Sequence, residues 1–196
     1  MKLGVLGLQG DFREHVWTLR RLGANVAVVK TRSELCSVDG LIIPGGESTT
    51  IGRLMKITGI ERELQKLVSQ GFPVYGTCAG MILLSKGVVN YPAQKTFGFI
   101  DILVERNAYG RQVESFEANL RIPILGERPF KAFFIRAPKV VKCSETVKIM
   151  ALYQDSPVFL IQNNIMVTSF HPELGNDTRI HEYFLNVVGD YHARTG

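Results

Sequence analysis

The chain has 196 residues, 45% hydrophobic and 21% charged, which suits one soluble globular domain with a full core. Its net charge of +5 is not gathered into a basic run, which argues against nucleic acid and leaves solvated surface or a face for an acidic partner. No apolar run reaches the length of a membrane span, and three cysteines, Cys36, Cys78 and Cys143, without C-x-x-C spacing suggest neither a disulfide framework nor a zinc site.

Met1 to Gly7 is apolar but lacks a basic leader, and the charged stretch Asp11-Phe12-Arg13-Glu14-His15 follows at once. No secretory signal is read there, and a cytoplasmic protein is expected. Lys2 to Leu8 is predicted as a buried parallel strand. Asp11 is placed to cap a helix that carries Phe12, Val16, Leu19 and Leu22 on one face and ends at Gly23. Val26 to Val29 and Asp39 to Ile43 are the next strands. The latter runs into Pro44-Gly45-Gly46-Glu47-Ser48-Thr49-Thr50, read as a tight turn capped by Ser48. Ile60 to Leu67 is a helix with Leu64, Leu67 and Val68 inward, ended by Gly71, and a strand over Phe72 to Tyr75 follows. This alternation predicts an α/β fold with a mainly parallel sheet and one domain over residues 1–196.

Beyond residue 100 the pattern changes to strands with few helices between them: Ile100 to Val104, Phe116 to Ile122, Phe130 to Ile135 and Val147 to Tyr153. Val158 to Gln162 and Ile165 to Ser169 flank Asn163-Asn164, a two-residue hairpin signal because asparagine tolerates positive φ. Arg179 to Tyr191 is an amphipathic helix with Ile180, Tyr183, Phe184 and Val187 inward. His15 and His181 fall in helical segments and are read as solvated or packed. Cys36 and Cys143 fall in polar, loop-like stretches with no chemical role.

Three stretches carry chemistry. Gly76-Thr77-Cys78-Ala79-Gly80 lies between an apolar strand and the apolar helix start Met81-Ile82-Leu83-Leu84. It is the cysteine counterpart of a serine nucleophile elbow. Its thiol meets the positive end of a helix dipole, and the Ala79 amide is placed for an oxyanion. His171-Pro172-Glu173 follows a strand directly. Residues two apart in extended chain share a side, so Glu173 can steady the His171 ring directly or through a small bend, and His171 can take the Cys78 proton. Gly45-Gly46 ends another strand, where open α/β sheets bind ligands, and paired glycines let backbone N–H groups face an anion.

Pro-Gly-Gly-Glu-Ser, Gly-Thr-Cys-Ala-Gly and Ser-Phe-His-Pro-Glu, in this order and spacing, resemble the class I (triad) glutamine amidotransferases. Val5-Leu6-Gly7-Leu8-Gln9-Gly10, Glu47-Ser48-Thr49-Thr50, Glu105-Arg106-Asn107, Gly110-Arg111-Gln112-Val113, Ser115-Phe116-Glu117 and Phe134-Ile135-Arg136-Ala137-Pro138 are similar to one family among them, the glutaminase subunits of pyridoxal 5′-phosphate synthase. The resemblance runs from residue 3 to the C-terminal helix. It implies a flavodoxin-like three-layer fold with helices on both sheet faces and an added antiparallel portion. It also implies hydrolysis of L-glutamine to glutamate and ammonia, with delivery of ammonia to a barrel-shaped synthase subunit. By position in these motifs, Gly46, Glu47, Ser48, Arg106, Ile135 and Arg136 would line the glutamine site. Whether Arg106 and Arg136 act through a guanidinium on the substrate carboxylate, through backbone, or only in salt bridges stays open.

The combined expectation is a Cys78–His171–Glu173 triad that forms a thioester, with Gly45, Gly46 and Ala79 meeting the oxyanion and no metal or cofactor required. Two alternatives remain at this level: a stand-alone γ-glutamyl hydrolase or peptidase on the same elbow, and a non-catalytic thiol sensor that would leave His171 and Glu173 without a role.

Overall fold

The computed structural model describes residues 1–108 and 115–195. In chain order the elements are β1 (Leu3–Leu6), α1 (Phe12–Arg21), β2 (Val26–Val29), α2 (Arg32–Leu35), β3 (Gly40–Ile43), α3 (Ser48–Ile57), α4 (Ile60–Ser69), β4 (Val74–Thr77), α5 (Ala79–Leu84), β5 (Ser85–Val88), β6 (Ile100–Glu105), β7 (Ser115–Leu120), β8 (Phe130–Ile135), β9 (Lys139–Cys143), β10 (Lys148–Tyr153), β11 (Ser156–Gln162), β12 (Ile165–Thr168) and α6 (Arg179–Thr195).

The described residues form a seven-stranded sheet in the order β10-β11-β12-β4-β3-β1-β2. The run from β12 to β2 is parallel, and β10 and β11 add an antiparallel edge. This is the doubly wound, flavodoxin-like arrangement anticipated from the sequence. Side chains alternate across it. Leu6, Ile43, Val74 and Val167 face a core shared with α3, α4 and α5. Leu3, Val5, Ile42, Tyr75 and Met166 face a second core shared with α1, α6 and the β7–β8 ribbon. Burial on both faces explains why these strands read as continuous apolar runs. The β11–β12 hairpin pairs Gln162 with Ile165, and Asn163 has φ 53°, as the Asn-Asn signal requires.

Several expectations need correction. Residues 48–57 are a helix, with Ile51 and Met55 buried, and its N-cap is Glu47 rather than Ser48. The Glu47 carboxylate accepts from the Thr49 and Thr50 amides, while Ser48 is itself buried. Asp11 occupies the N-cap position of α1 but makes no side-chain cap; its amide donates to the Gly45 carbonyl instead, at 3.0 Å. Cys143 ends strand β9 rather than lying in a loop. β5 and β9 were not anticipated; with β6 they form a separate three-stranded sheet. Of the two readings left open for His15 and His181, packed is the one that holds: both are wholly buried, between α1 and α6. No described helix is long and apolar enough to cross a membrane.

Candidate active site

β4 ends at Thr77, and the chain turns into α5 within one residue, Cys78, at φ 48° and ψ −100°. That backbone region is costly for a residue with a Cβ and persists only where the surroundings impose it. The flanking glycines show what imposes it. A Cβ on Gly76 would lie 2.6 Å from the Gly80 carbonyl carbon, and one on Gly80 would collide with the Ile43 carbonyl oxygen. Strand, turn and helix are thus pressed together more closely than side chains allow, at the C-terminal end of a central strand, where Cys78 sits. Its amide donates to the Thr168 carbonyl at 2.8 Å, and its Sγ lies 3.8 Å from the Ile135 carbonyl oxygen.

The same register delivers the base. Thr77 pairs with Thr168 across β4 and β12, so the segments that follow leave the sheet side by side. The His171 amide is fixed by the Phe133 carbonyl at 2.8 Å. Glu173 comes within reach of the ring through a 3-10 turn over Pro172–Leu174, the small bend allowed for by the His-Pro-Glu reading. Glu173 Oε1 is 2.7 Å from His171 Nδ1, and both residues are buried. Burial disfavours the charged ring, but hydrogen bonds with Cys78 and Glu173 outweigh it and raise the His171 pKa to about 11. Burial pushes the Glu173 carboxyl up, and the His171 hydrogen bond opposes that rise.

The Gly45-Gly46 loop closes the third side. A Cβ on Gly45 would strike the His171 ring, so the base requires glycine there. Gly46 has φ 151°, and the Glu47 amide donates to Gln9 Oε1 at 2.8 Å. Glu47, held near pKa 2 by its hydrogen bonds from Thr49 and Thr50 despite partial burial, also accepts from Arg106 at 3.2 Å. Arg106 donates to Gln94 Oε1 at 2.7 Å, and Gln94 donates to Ser48 Oγ at 2.8 Å. These groups border a cavity of about 310 Å³ whose wall includes Cys78, Ala79, His171, Gly46, Glu47, Ser48, Arg106, Ile135 and Arg136. The nominated residues therefore meet in one place, except that Gly45 and Glu173 stand behind the wall, each against His171.

Arg106 is engaged by protein partners, whereas Arg136 is exposed, with φ 43°. Gln9, Asp11 and Asn107 also line the cavity and were not nominated. Gln9 and Asn107 stand inside quoted motifs, the one signal that could have found them; Gln94, which orders Arg106 and Ser48, had none. The motif Gly110 to Val113 lies outside the described residues. Asp11, His171 and Glu173 bring possible ligand atoms within 4.8 Å of one another. Their chemistry is already accounted for by the His171–Glu173 hydrogen bond. A larger cleft of about 460 Å³ beside Arg128, Lys131 and Asp177 holds no nucleophile.

A family model described as the SNO glutamine amidotransferase family matches residues 5–190. The chain is 64% identical over 193 residues to the pyridoxal 5′-phosphate synthase subunit PdxT of Pseudothermotoga lettingae, covering 98% of each chain. It is 61% identical over 188 residues to the subunit of the same name from Thermosipho africanus, covering 96% of this chain and 99% of that one. A solved structure described as a glutamine amidotransferase superposes with a TM-score of 0.91 at 48% identity, covering 95% of this chain and 98% of that one.

Proposed function

The chain belongs to the SNO glutamine amidotransferase family, and from that membership we propose that it is the glutaminase subunit of a pyridoxal 5′-phosphate synthase. It hydrolyses L-glutamine to L-glutamate and ammonia and hands the ammonia to a separate, barrel-shaped synthase subunit. It works as one domain over residues 1–196, in the cytoplasm, with no nucleic-acid or membrane partner and no metal or cofactor.

His171 takes the Cys78 proton, with Glu173 holding the ring through Nδ1. The thiolate attacks the side-chain amide carbon of glutamine, and the oxyanion is met by the Ala79 amide and by an amide of the Gly45-Gly46 segment. His171 returns the proton to the leaving nitrogen, ammonia departs, and water cleaves the thioester. Gly46, Glu47, Ser48, Arg106, Ile135 and Arg136 hold the substrate. Ammonia is largely protonated near neutral pH and then is no nucleophile, which is why the product goes directly to an acceptor site.

The observation that carries this reading is Cys78 at a positive φ with the buried His171–Glu173 hydrogen bond of 2.7 Å beside it. A thiol sensor has no use for that bond. The test is glutamate release from glutamine by the full chain mixed with its synthase subunit, for the native protein and for Cys78→Ala. Release by the native chain alone of the two supports the reading; equal release by both ends it. Cys36→Ala and Cys143→Ala are expected to leave release unchanged.

A further inference from the structure

Behind the triad lies a second layer that the reaction as written does not use. Glu173 spends Oε1 on His171, and its other oxygen, Oε2, is buried with no hydrogen-bond partner among the described residues. His15 Nε2 from α1 stands 3.4 Å from that oxygen and also lies 3.2 Å from Thr77 Oγ1. On its other side, His15 Nδ1 is 3.0 Å from His181 Nε2 of α6. His181 Nδ1 is buried without a partner. The three histidines and Glu173 thus form a line from α6 through α1 to the nucleophile, almost wholly closed to solvent.

Hydrogen-bond satisfaction fixes the protons. Between two ring nitrogens at 3.0 Å there is one hydrogen. If it belonged to His15, the bare Nε2 of that ring would point its lone pair at the Glu173 carboxylate, and the remaining N–H of His181 would be a buried donor with no acceptor. If it belongs to His181 Nε2, His15 accepts at Nδ1 and carries its own hydrogen on Nε2, facing both Thr77 Oγ1 and Glu173 Oε2. Only a lone pair on His181 is then left over. The second arrangement leaves no buried donor unpaired and opposes no lone pair to the carboxylate. Both rings are neutral: burial, then the neighbouring His181 and His171, holds His15 well below the usual histidine range, and burial holds His181 down to about 4.

We propose that His15 is a positioning residue for the Cys78 reaction: its Nε2–H faces the free oxygen of Glu173, and His181 sets the tautomer that makes this possible. The inference rests on the triad reading above. A carboxylate in a buried site stays ionised only if its oxygens are met by donors. With His15 in place both oxygens face N–H groups, and Glu173 keeps the charge and the orientation with which it holds His171. Without it, Glu173 takes up a proton at higher pH and loosens the base. The titratable groups around Glu173 are Asp11 at the start of α1, His15 on α1, Tyr75 on β4 and His171 on its own segment, with Cys78 beyond His171 and His181 beyond His15.

The experiment has two arms. In the first, kcat and KM for glutamine are measured against pH for the full chain with its synthase subunit, comparing native protein, His15→Phe and His15→Gln. Phe removes the donor and keeps the bulk; the Gln amide can place an N–H near Nε2. His15→Phe is expected to lower kcat about tenfold with KM little changed and to move the acid limb up by about one pH unit, the low end of what an N–H dipole facing a buried charge supplies. His15→Gln is expected to recover most of both. A Phe profile that superimposes on the native one, or a Gln variant as impaired as Phe, overturns the proposal. In the second arm, nitrogen-15 NMR of the imidazoles in the unsubstituted chain reads the tautomers directly. Hydrogen on Nε2 of both His15 and His181 is expected; hydrogen on Nδ1 of either overturns it even if the Phe variant does not fold. Absence of glutamate release by the native chain would sink the glutaminase reading instead, and the tautomer result would still decide between the two ring arrangements.

Discussion

Gly80, in the first turn of α5, sits against the carbonyl oxygen of Ile43 at the end of β3, with no room for a single additional carbon between them. The elbow is therefore held from beneath by a neighbouring strand, not only by its own turn. Gly80→Ala has to push backbone away from backbone, so it is expected to destabilise the fold by about 1–3 kcal/mol and to displace Cys78. Urea unfolding measures the first effect and glutamate release the second. A variant of native stability and native turnover would show that the contact is slack.

His171→Asn is expected to cost more turnover than Glu173→Gln, by about tenfold or more, because losing the base is worse than losing the group that orients it. Rates under saturating glutamine decide the order. The reverse order would mean that Glu173 does more than steer the ring.

Acid should weaken the fold through the histidine pair. His181 is held down to about 4 in the folded chain, against 6.5 as the ordinary value. Between those two pH values the unfolded chain binds a proton at this position and the folded chain does not, so stability falls as pH falls. For one such group the slope is about 1 kcal/mol per pH unit. His15 is shifted in the same direction by burial and by its neighbours and adds to it. Urea midpoints at pH 7.5 and 5 should show the loss, and His181→Phe should flatten it. An equal loss in that variant would place the acid-labile group elsewhere.

The isolated chain is expected to be a poor glutaminase that its synthase subunit switches on. The Gly45 carbonyl is tied to the Asp11 amide, and the Gly45–Gly46 peptide cannot rotate without giving up that bond of 3.0 Å. Glycines make such a rotation sterically cheap, and one oxyanion donor is worth about a hundredfold or more in turnover. A partner that favours the donor-inward form supplies the difference. Steady-state release is to be measured as synthase is added; a lone chain already at the complexed rate removes the switch and leaves the glutaminase assignment standing.

The parallel sheet was legible because strands buried on both faces write themselves as apolar runs, and the elbow was legible because its glycines are steric necessities. Helix α3 was hidden by its first turn. Ser48-Thr49-Thr50 reads as a loop, and only the Glu47 cap and the burial of Ile51 and Met55 turn it into a helix. β5 and β9 are short strands whose pairing with β6 is a tertiary fact. The contact of His15 with His181 spans 166 residues of chain, and no local pattern announces it. Helical periodicity says that a residue faces inward; it does not say which polar group waits there.

The pairing of Thr77 with Thr168 places Cys78 and His171 on extensions of adjacent central strands, and the Cys78 amide is itself closed by the Thr168 carbonyl. Nucleophile and base are then anchored to strands that stand about 4.8 Å apart in the ladder, with the His171 amide held in addition by Phe133 of β8. β4 lies between β12 and β3, covered on both sides, the kind of core strand that opens last in a folded domain. The alignment of thiol and imidazole is in consequence as durable under heat as the sheet itself, and thermal inactivation should coincide with global melting instead of preceding it.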